Sequence, residues 1–205
     1  MVEEQNSSNR ADLFRHDSFL DYLPWLMMIF VIIWMGVQLW FQGRLWWCRW
    51  DTPLYFWTVD AWSKHTSQHF IDPYFFTHVL HGFLFLWGAQ LLFKQRISFS
   101  WLLLVAVFGE GLWEVIENSP SVIERYRANT ASLDYFGDSI ANSIGDVIAC
   151  IVGFVAAYWL KFWRALAVFF LIEVLLVIMI RDSLLINIVM LIYPFEAVKI
   201  WQTGG

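Results

Sequence analysis

Residues 97–119 read ISFSWLLLVAVFGEGLWEVIENS, a run long and apolar enough to cross a hydrocarbon core that nevertheless carries three carboxylates. At 3.6 residues per turn, Glu110, Glu114 and Glu117 fall within an arc of roughly 60° and share one helical face. An acid facing lipid at mid-membrane costs up to about 3 kcal/mol, and ionised neighbours also repel one another. Such a helix has to turn that face toward a buried partner: a cation, shared protons, or both.

The surrounding sequence points the same way. Of 205 residues, 59% are apolar, 20% are aromatic and only 15% are charged. A soluble domain of this size does not need so much apolar surface. The expected fold is all-α, a polytopic membrane bundle of five to six transmembrane helices with an aromatic-rich interfacial loop. The predicted spans are 23–41, 74–93, 97–118, 135–160 and 163–180. A sixth segment, 184–201, is interrupted by Pro194, Glu196 and Lys199, and either spans with a kink or lies along the interface. Residues 1–18 read as a disordered cytoplasmic tail without signal-peptide features, and 19–205 as one transmembrane domain. A net charge of −5 with no basic patch excludes nucleic acid as a partner.

Basic residues set the expected orientation. Arg10 and Arg15, the turn at Lys94 and Arg96, and the turn at Lys161 and Arg164 fall on one side, which the positive-inside bias makes cytoplasmic. The N-terminus is then cytoplasmic as well. With that topology His78, His81, the three glutamates, Asp138, Asn142 and Asp146 gather under the opposite leaflet, and Glu173 lies at or just beyond the midplane on that side. The cytoplasmic half is left almost purely apolar. The stretch 42–73 carries Trp46, Trp47, Trp50, Trp57 and Trp62, which suits interfacial helices or turns, either as an ordinary aromatic belt or as a lid over the polar cluster.

His78 and His81, spaced i, i+3, lie on one helical face. Together with Glu114, Glu117, Asp138 and Asp146 they form a candidate ligand set for a divalent metal cation, zinc or manganese before magnesium or calcium. Neither HExxH nor Glu-x-x-His is present, so the assignment draws on crowding rather than on a motif. Singly, each group has a plainer reading: a histidine bonded across helices, a structural Glu173, or Asn142 and Ser143 as packing glue. Together, their desolvation costs favour a site.

Glu110 or Glu114 is the candidate general base, and Arg127 the third candidate catalytic group. Arg125, Arg127 and Asn142 are candidate substrate contacts, the arginines for a phosphate or carboxylate head group. His65, His69 and Asp72 are candidate supporting or gating groups. Of the two cysteines, Cys48 lies in a loop and Cys150 inside a helix. That placement argues against a disulfide between them, and without a CxxC pair no zinc site is expected from them.

The stretches SKHTSQHFIDPYFFTHVLHGFLF, from Ser63, and GEGLWEVIENSPSVIERYRANTASLDYFGDSIANSIGDVIA, from Gly109, resemble a family of uncharacterised proteobacterial inner-membrane proteins. That resemblance implies a multi-pass protein of the bacterial inner membrane and supplies no activity. A more distant likeness is to VanZ-like membrane proteins, carried by Glu114 and Glu117, Arg127, then Asp138, Asn142 and Gly145. The sequence departs from that group's usual glutamine at position 117 and adds Asp146. VanZ-like proteins are linked to envelope chemistry, so here the likeness implies a setting rather than a reaction.

The expected function is a metal-dependent hydrolase or transferase acting on a lipid or lipid-linked envelope substrate, with membrane lipids as its surroundings. The alternative is a non-enzymatic assembly factor or cation-binding protein. A channel is disfavoured, since one leaflet is dry.

Overall fold

The computed structural model describes residues 19–50, 56–93, 97–129 and 135–204. The tail 1–18 with Arg10 and Arg15, and the turn holding Lys94 and Arg96, lie outside the described residues. Among the described residues seven helices follow in order: α1 (Phe19–Phe41), α2 (Phe75–Phe93), α3 (Phe99–Glu117), α4 (Pro120–Asn129), α5 (Ile140–Ile180), α6 (Leu184–Ile192) and α7 (Glu196–Thr203). Among the described residues there is no strand, only an isolated bridge between Trp57 and Ile71. Four helices (α1, α2, α3 and α5) are long and apolar enough to cross a membrane.

Helix α5 breaks at Lys161, whose backbone leaves the helix at φ 62°, ψ 165°. Its two arms, 140–160 and 162–180, both pack on α2. Gly82 of α2 abuts the Cys150 carbonyl, and Gly153 of the first arm abuts the Val79 carbonyl. With no Cβ at either position, the two backbones approach closely. On the second arm Phe169 stacks with Phe83 and Trp87, and Phe162 with Trp87. Phe162 therefore meets the far end of α2, while Asp182, just past the second arm, takes a hydrogen bond from Tyr74 at 3.1 Å. The second arm runs antiparallel to α2. Helix α3 packs between α1 and α5, with Gly111 set against Val31 and Met35.

The segment 184–201 is not one helix. It divides into the nine-residue α6 and eight-residue α7, each far short of the roughly 20 residues a span requires. Tyr193 ends α6, and Pro194 holds the residue before it out of helical geometry. Ser183 caps α6 by accepting the Ile186 N–H.

Large apolar side chains face outward all around the bundle, with Phe30, Leu91, Leu92, Ile178 and Met179 among the most exposed. That is the surface expected of helices whose solvent is lipid. Trp46, Trp57 and Trp62 are exposed at the end where α2 and the first arm of α5 begin. Trp159 and Trp163 are exposed at the other end, beside Lys161. The bundle thus carries indoles at both ends, as at two membrane interfaces.

Between α1 and α2 the described residues form turns rather than interfacial helices. This loop is tied to the start of α5: Ile140 N–H donates to the Leu45 carbonyl at 2.8 Å, Ala141 N–H to Trp46 at 3.1 Å and Ser139 N–H to Ser67 at 2.9 Å. The opening amides of a helix have no intrahelical acceptor, and here the tryptophan loop supplies one. Asp72 closes the loop on α2. Its Oδ1 accepts from Tyr74 N–H at 2.8 Å and Phe75 N–H at 3.2 Å, and its Oδ2 from Ser67 N–H at 2.6 Å.

Candidate functional site

The i, i+3 spacing on α2 places His78 and His81 over α3, where Glu110 reaches both. His78 Nδ1 lies 2.5 Å from Glu110 Oε1, and His81 Nδ1 lies 3.0 Å from Oε2 and 3.1 Å from Oε1. Each imidazole that donates its Nδ1–H to this carboxylate has its ring orientation fixed and Nε2 left available as a ligand or proton carrier. Glu110 has no exposed surface, whereas both histidines line a cavity. Glu110 thus stands behind the imidazoles, a position suited to orienting them. From sequence alone it is, with Glu114, one of two candidates for the general base.

Glu114, one turn further along α3, is also fully buried, and neither of its oxygens has a hydrogen-bond partner. Its nearest recorded charge contact is His78 Nδ1, 3.4 Å from Oε1. Asp146, on the first arm of α5, places Oδ1 3.9 Å from His78 Nε2, and that oxygen is likewise unpartnered. A buried ionised carboxylate without donors is costly, a cost relieved by a held proton or by a nearby cation. Two groups of side chains converge closely enough to hold one ion each: His78 with His81 and Glu110, and His78 with Glu114 and Glu117.

Asp138 and Asp146, placed in the same ligand set by sequence, fall in neither group. Asp138 is fully engaged: its Oδ2 accepts from Asn118 Nδ2 at 2.7 Å, its N–H donates to Asn118 Oδ1 at 2.7 Å, and the Tyr135 hydroxyl donates at 3.0 Å to Oδ1. This knot closes the end of α3 onto the start of α5. Burial raises the Asp138 carboxyl above its ordinary range, against those hydrogen bonds. Burial also raises Asp72, and it raises the phenols of Tyr126 and Tyr135, the former assisted by the neighbouring Glu117. Asp182 is pushed up to about 7 by burial.

The cavity measures about 640 Å³ and opens beside these groups. His78, His81, Glu117, Asp138, Asn142 and Asp146 form its polar floor. Leu84, Phe85, Leu112, Trp113 and Ile116 from α2 and α3, with Leu184, Ile188 and Leu191 nearby, form apolar walls. Arg44, Arg49 and Lys64 of the tryptophan loop supply its cations.

The two arginines favoured by sequence are used differently. Arg125 donates from Nε to the Leu191 carbonyl and from a terminal nitrogen to Ile192 at 3.0 Å, closing the C-terminus of α6. Arg127 donates from Nε to the Tyr135 carbonyl at 2.5 Å and stacks 4.5 Å above Phe136. Neither lines the cavity. Asn142 does line it, but gives its amide to the His69 carbonyl at 2.8 Å. Glu173 lies apart and accepts from Leu185 N–H at 3.4 Å. Sequence reasoning missed Arg44, Arg49 and Lys64, and the only available signal was their place in the tryptophan loop.

One more cluster lies in that loop. Cys48 Sγ sits 3.5 Å from His65 Nδ1, and the same nitrogen sits 3.4 Å from His69 Nε2. The three residues converge on a volume that could hold one ion, although no CxxC pair marks it in the sequence.

Comparison with known proteins adds kinship without an activity. A family model described as a protein of unknown function, DUF2585, matches residues 39–204. A UPF0314 protein of Paracoccus denitrificans is 45% identical over 148 residues, covering 72% of this chain and 76% of that protein. One from Brucella anthropi is 42% identical over 185 residues, covering 87% and 90%. One from Sphingopyxis alaskensis is 36% identical over 182 residues, covering 88% and 95%. No solved structure matches. These matches give no evidence of a VanZ-like relationship. The chain belongs to the uncharacterised DUF2585 family, known in proteobacteria as UPF0314 proteins.

Proposed function

We propose that this protein is a five-span enzyme of the bacterial inner membrane that hydrolyses or transfers a group of a lipid or lipid-linked substrate with the help of a divalent cation. The two arms of α5 count as separate spans in this reading, since each is about as long as α2 or α3 and the second returns along α2. The cation sits among His78, Glu114 and Glu117. Glu110 orients His78 and His81, and His81 takes the proton of the attacking water. Arg44, Arg49 and Lys64 receive an anionic head group while the acyl chains lie along Leu84, Leu112 and Ile116. The exposed basic turn at Lys161 and Arg164 lies at the opposite end of the bundle, which supports a periplasmic cavity side.

The observation that carries the reading is Glu114: a carboxylate with no exposed surface and no hydrogen bond at either oxygen, beside a histidine that lines a partly apolar cavity. Such a group calls for a cation. Full-length protein purified in detergent and incubated with a radiolabelled bacterial lipid extract tests it. The expected result is a new lipid product that disappears with chelator and with Glu114→Gln. Conversion by neither protein, or conversion indifferent to chelator, would overturn the enzyme reading and leave a cation-binding or assembly role.

A further inference from the structure

We infer that Cys48, His65 and His69 form a second metal site, of the zinc class, in the loop that roofs the cavity. The inference is independent of the function proposed above, because it shares no residue with the His78–Glu114 cluster.

The geometry is specific. Tetrahedral zinc with Zn–N bonds of about 2.0–2.1 Å and a Zn–S bond of about 2.3 Å holds two ligand nitrogens about 3.4 Å apart and a nitrogen and a sulfur about 3.6 Å apart. The structure has 3.4 Å between His65 Nδ1 and His69 Nε2, and 3.5 Å between Cys48 Sγ and His65 Nδ1. One nitrogen of His65 serves both distances, and the three ligand atoms all lie within 4.8 Å of one another. A thiolate with two imidazoles is a borderline-soft donor set, suited to zinc and poorly suited to magnesium or calcium.

The surroundings fit as well. His69 is fully buried and packs edge-on against Trp47, with ring centroids 5.8 Å apart, while Cys48 and His65 are half-buried and within reach of an entering ion. The ligands bracket the segments that hold the start of α5. Leu45 and Trp46 precede Cys48 and give their carbonyls to the first two amides of that helix, and Ser67, between the histidines, gives its carbonyl to the N-cap residue Ser139. Zinc bound here joins the two limbs of the loop, releases the thiol proton to solvent, and leaves a fourth position for water.

The test is cobalt substitution in the full chain in detergent. Stripped wild-type protein titrated with Co²⁺ should develop a thiolate-to-cobalt charge-transfer band, which Cys48→Ser abolishes and Glu114→Gln retains. His65→Ala should weaken the cobalt affinity behind that band by at least about 10–100-fold, the range seen when even an outer partner of a ligand is removed. Maleimide labelling of Cys48 in a Cys150→Ala background guards against a variant that misfolds: zinc should block labelling and chelator restore it. Cobalt binding without a sulfur band, or labelling that zinc leaves unchanged, would reduce the trio to a thiol–imidazole hydrogen bond and overturn the inference.

Discussion

Asp182 shows how a single buried carboxyl can set the pH behaviour of this bundle. It lies between the second arm of α5 and α6, accepts hydrogen bonds from the Ser183 amide and the Tyr74 hydroxyl, and is raised by burial from 3.8 to about 7. The folded chain keeps a proton there that the unfolded chain releases. Stability from this group is therefore complete below about pH 4 and declines as pH rises toward 7. Asp182→Asn cannot ionise and should escape that decline. Thermal unfolding in detergent at a series of pH values should show the variant gaining on wild type between pH 4 and 7; an offset constant across that window would contradict the assignment. Other residue roles divide by how local their signals are. The α3 glutamate face and the His78–His81 pair were legible, because helical period alone fixes what shares a face. The fates of Arg125 and Arg127 were not, because they depend on which distant backbone carbonyls fold against them.

At the scale of elements, the contact between α2 and the first arm of α5 rests on missing side chains. A Cβ on Gly82 would overlap the Cys150 carbonyl, and one on Gly153 the Val79 carbonyl. Backbone cannot yield as a flexible side chain can, so Gly82→Ala or Gly153→Ala should destabilise by about 1–3 kcal/mol or more. Gly88 on the same helix has nothing within 4 Å of its would-be Cβ, and Gly88→Ala should be neutral or stabilise by up to about 1 kcal/mol. Unfolding midpoints in detergent check the contrast, and equal effects at Gly82 and Gly88 would refute this packing. Because α2 carries both histidines, its register decides whether they meet Glu110. The positions of α1, α2, α3 and the two arms of α5 were readable from apolar run length to within a few residues, whereas α4, which has no apolar run, was not. The division of 184–201 was not, since Pro194 could equally have kinked a span. The Cys48–His65–His69 cluster escaped because its members meet through loop turns that carry no period.

At the scale of the whole molecule, the buried acids and histidines lie toward one end of an otherwise apolar bundle, below a loop that supplies the cavity's cations. This asymmetry was visible in the sequence, because alternating spans convert position along a helix into depth. What sequence could not supply was the order of the groups inside the chamber: Glu110 behind the imidazoles, Glu114 without a donor, and Asp138 committed to Asn118 and Tyr135. That order makes a bound cation the central claim. The most direct test is elemental analysis of the purified full-length protein in a Cys48→Ser background, which removes the sulfur-containing site from the count. Divalent metal that remains in this background and is lost when Glu114→Gln or His78→Ala is added would bear the account out. Metal absent from the Cys48→Ser protein after equilibration with zinc and manganese, or retained unchanged without Glu114 and His78, would contradict it.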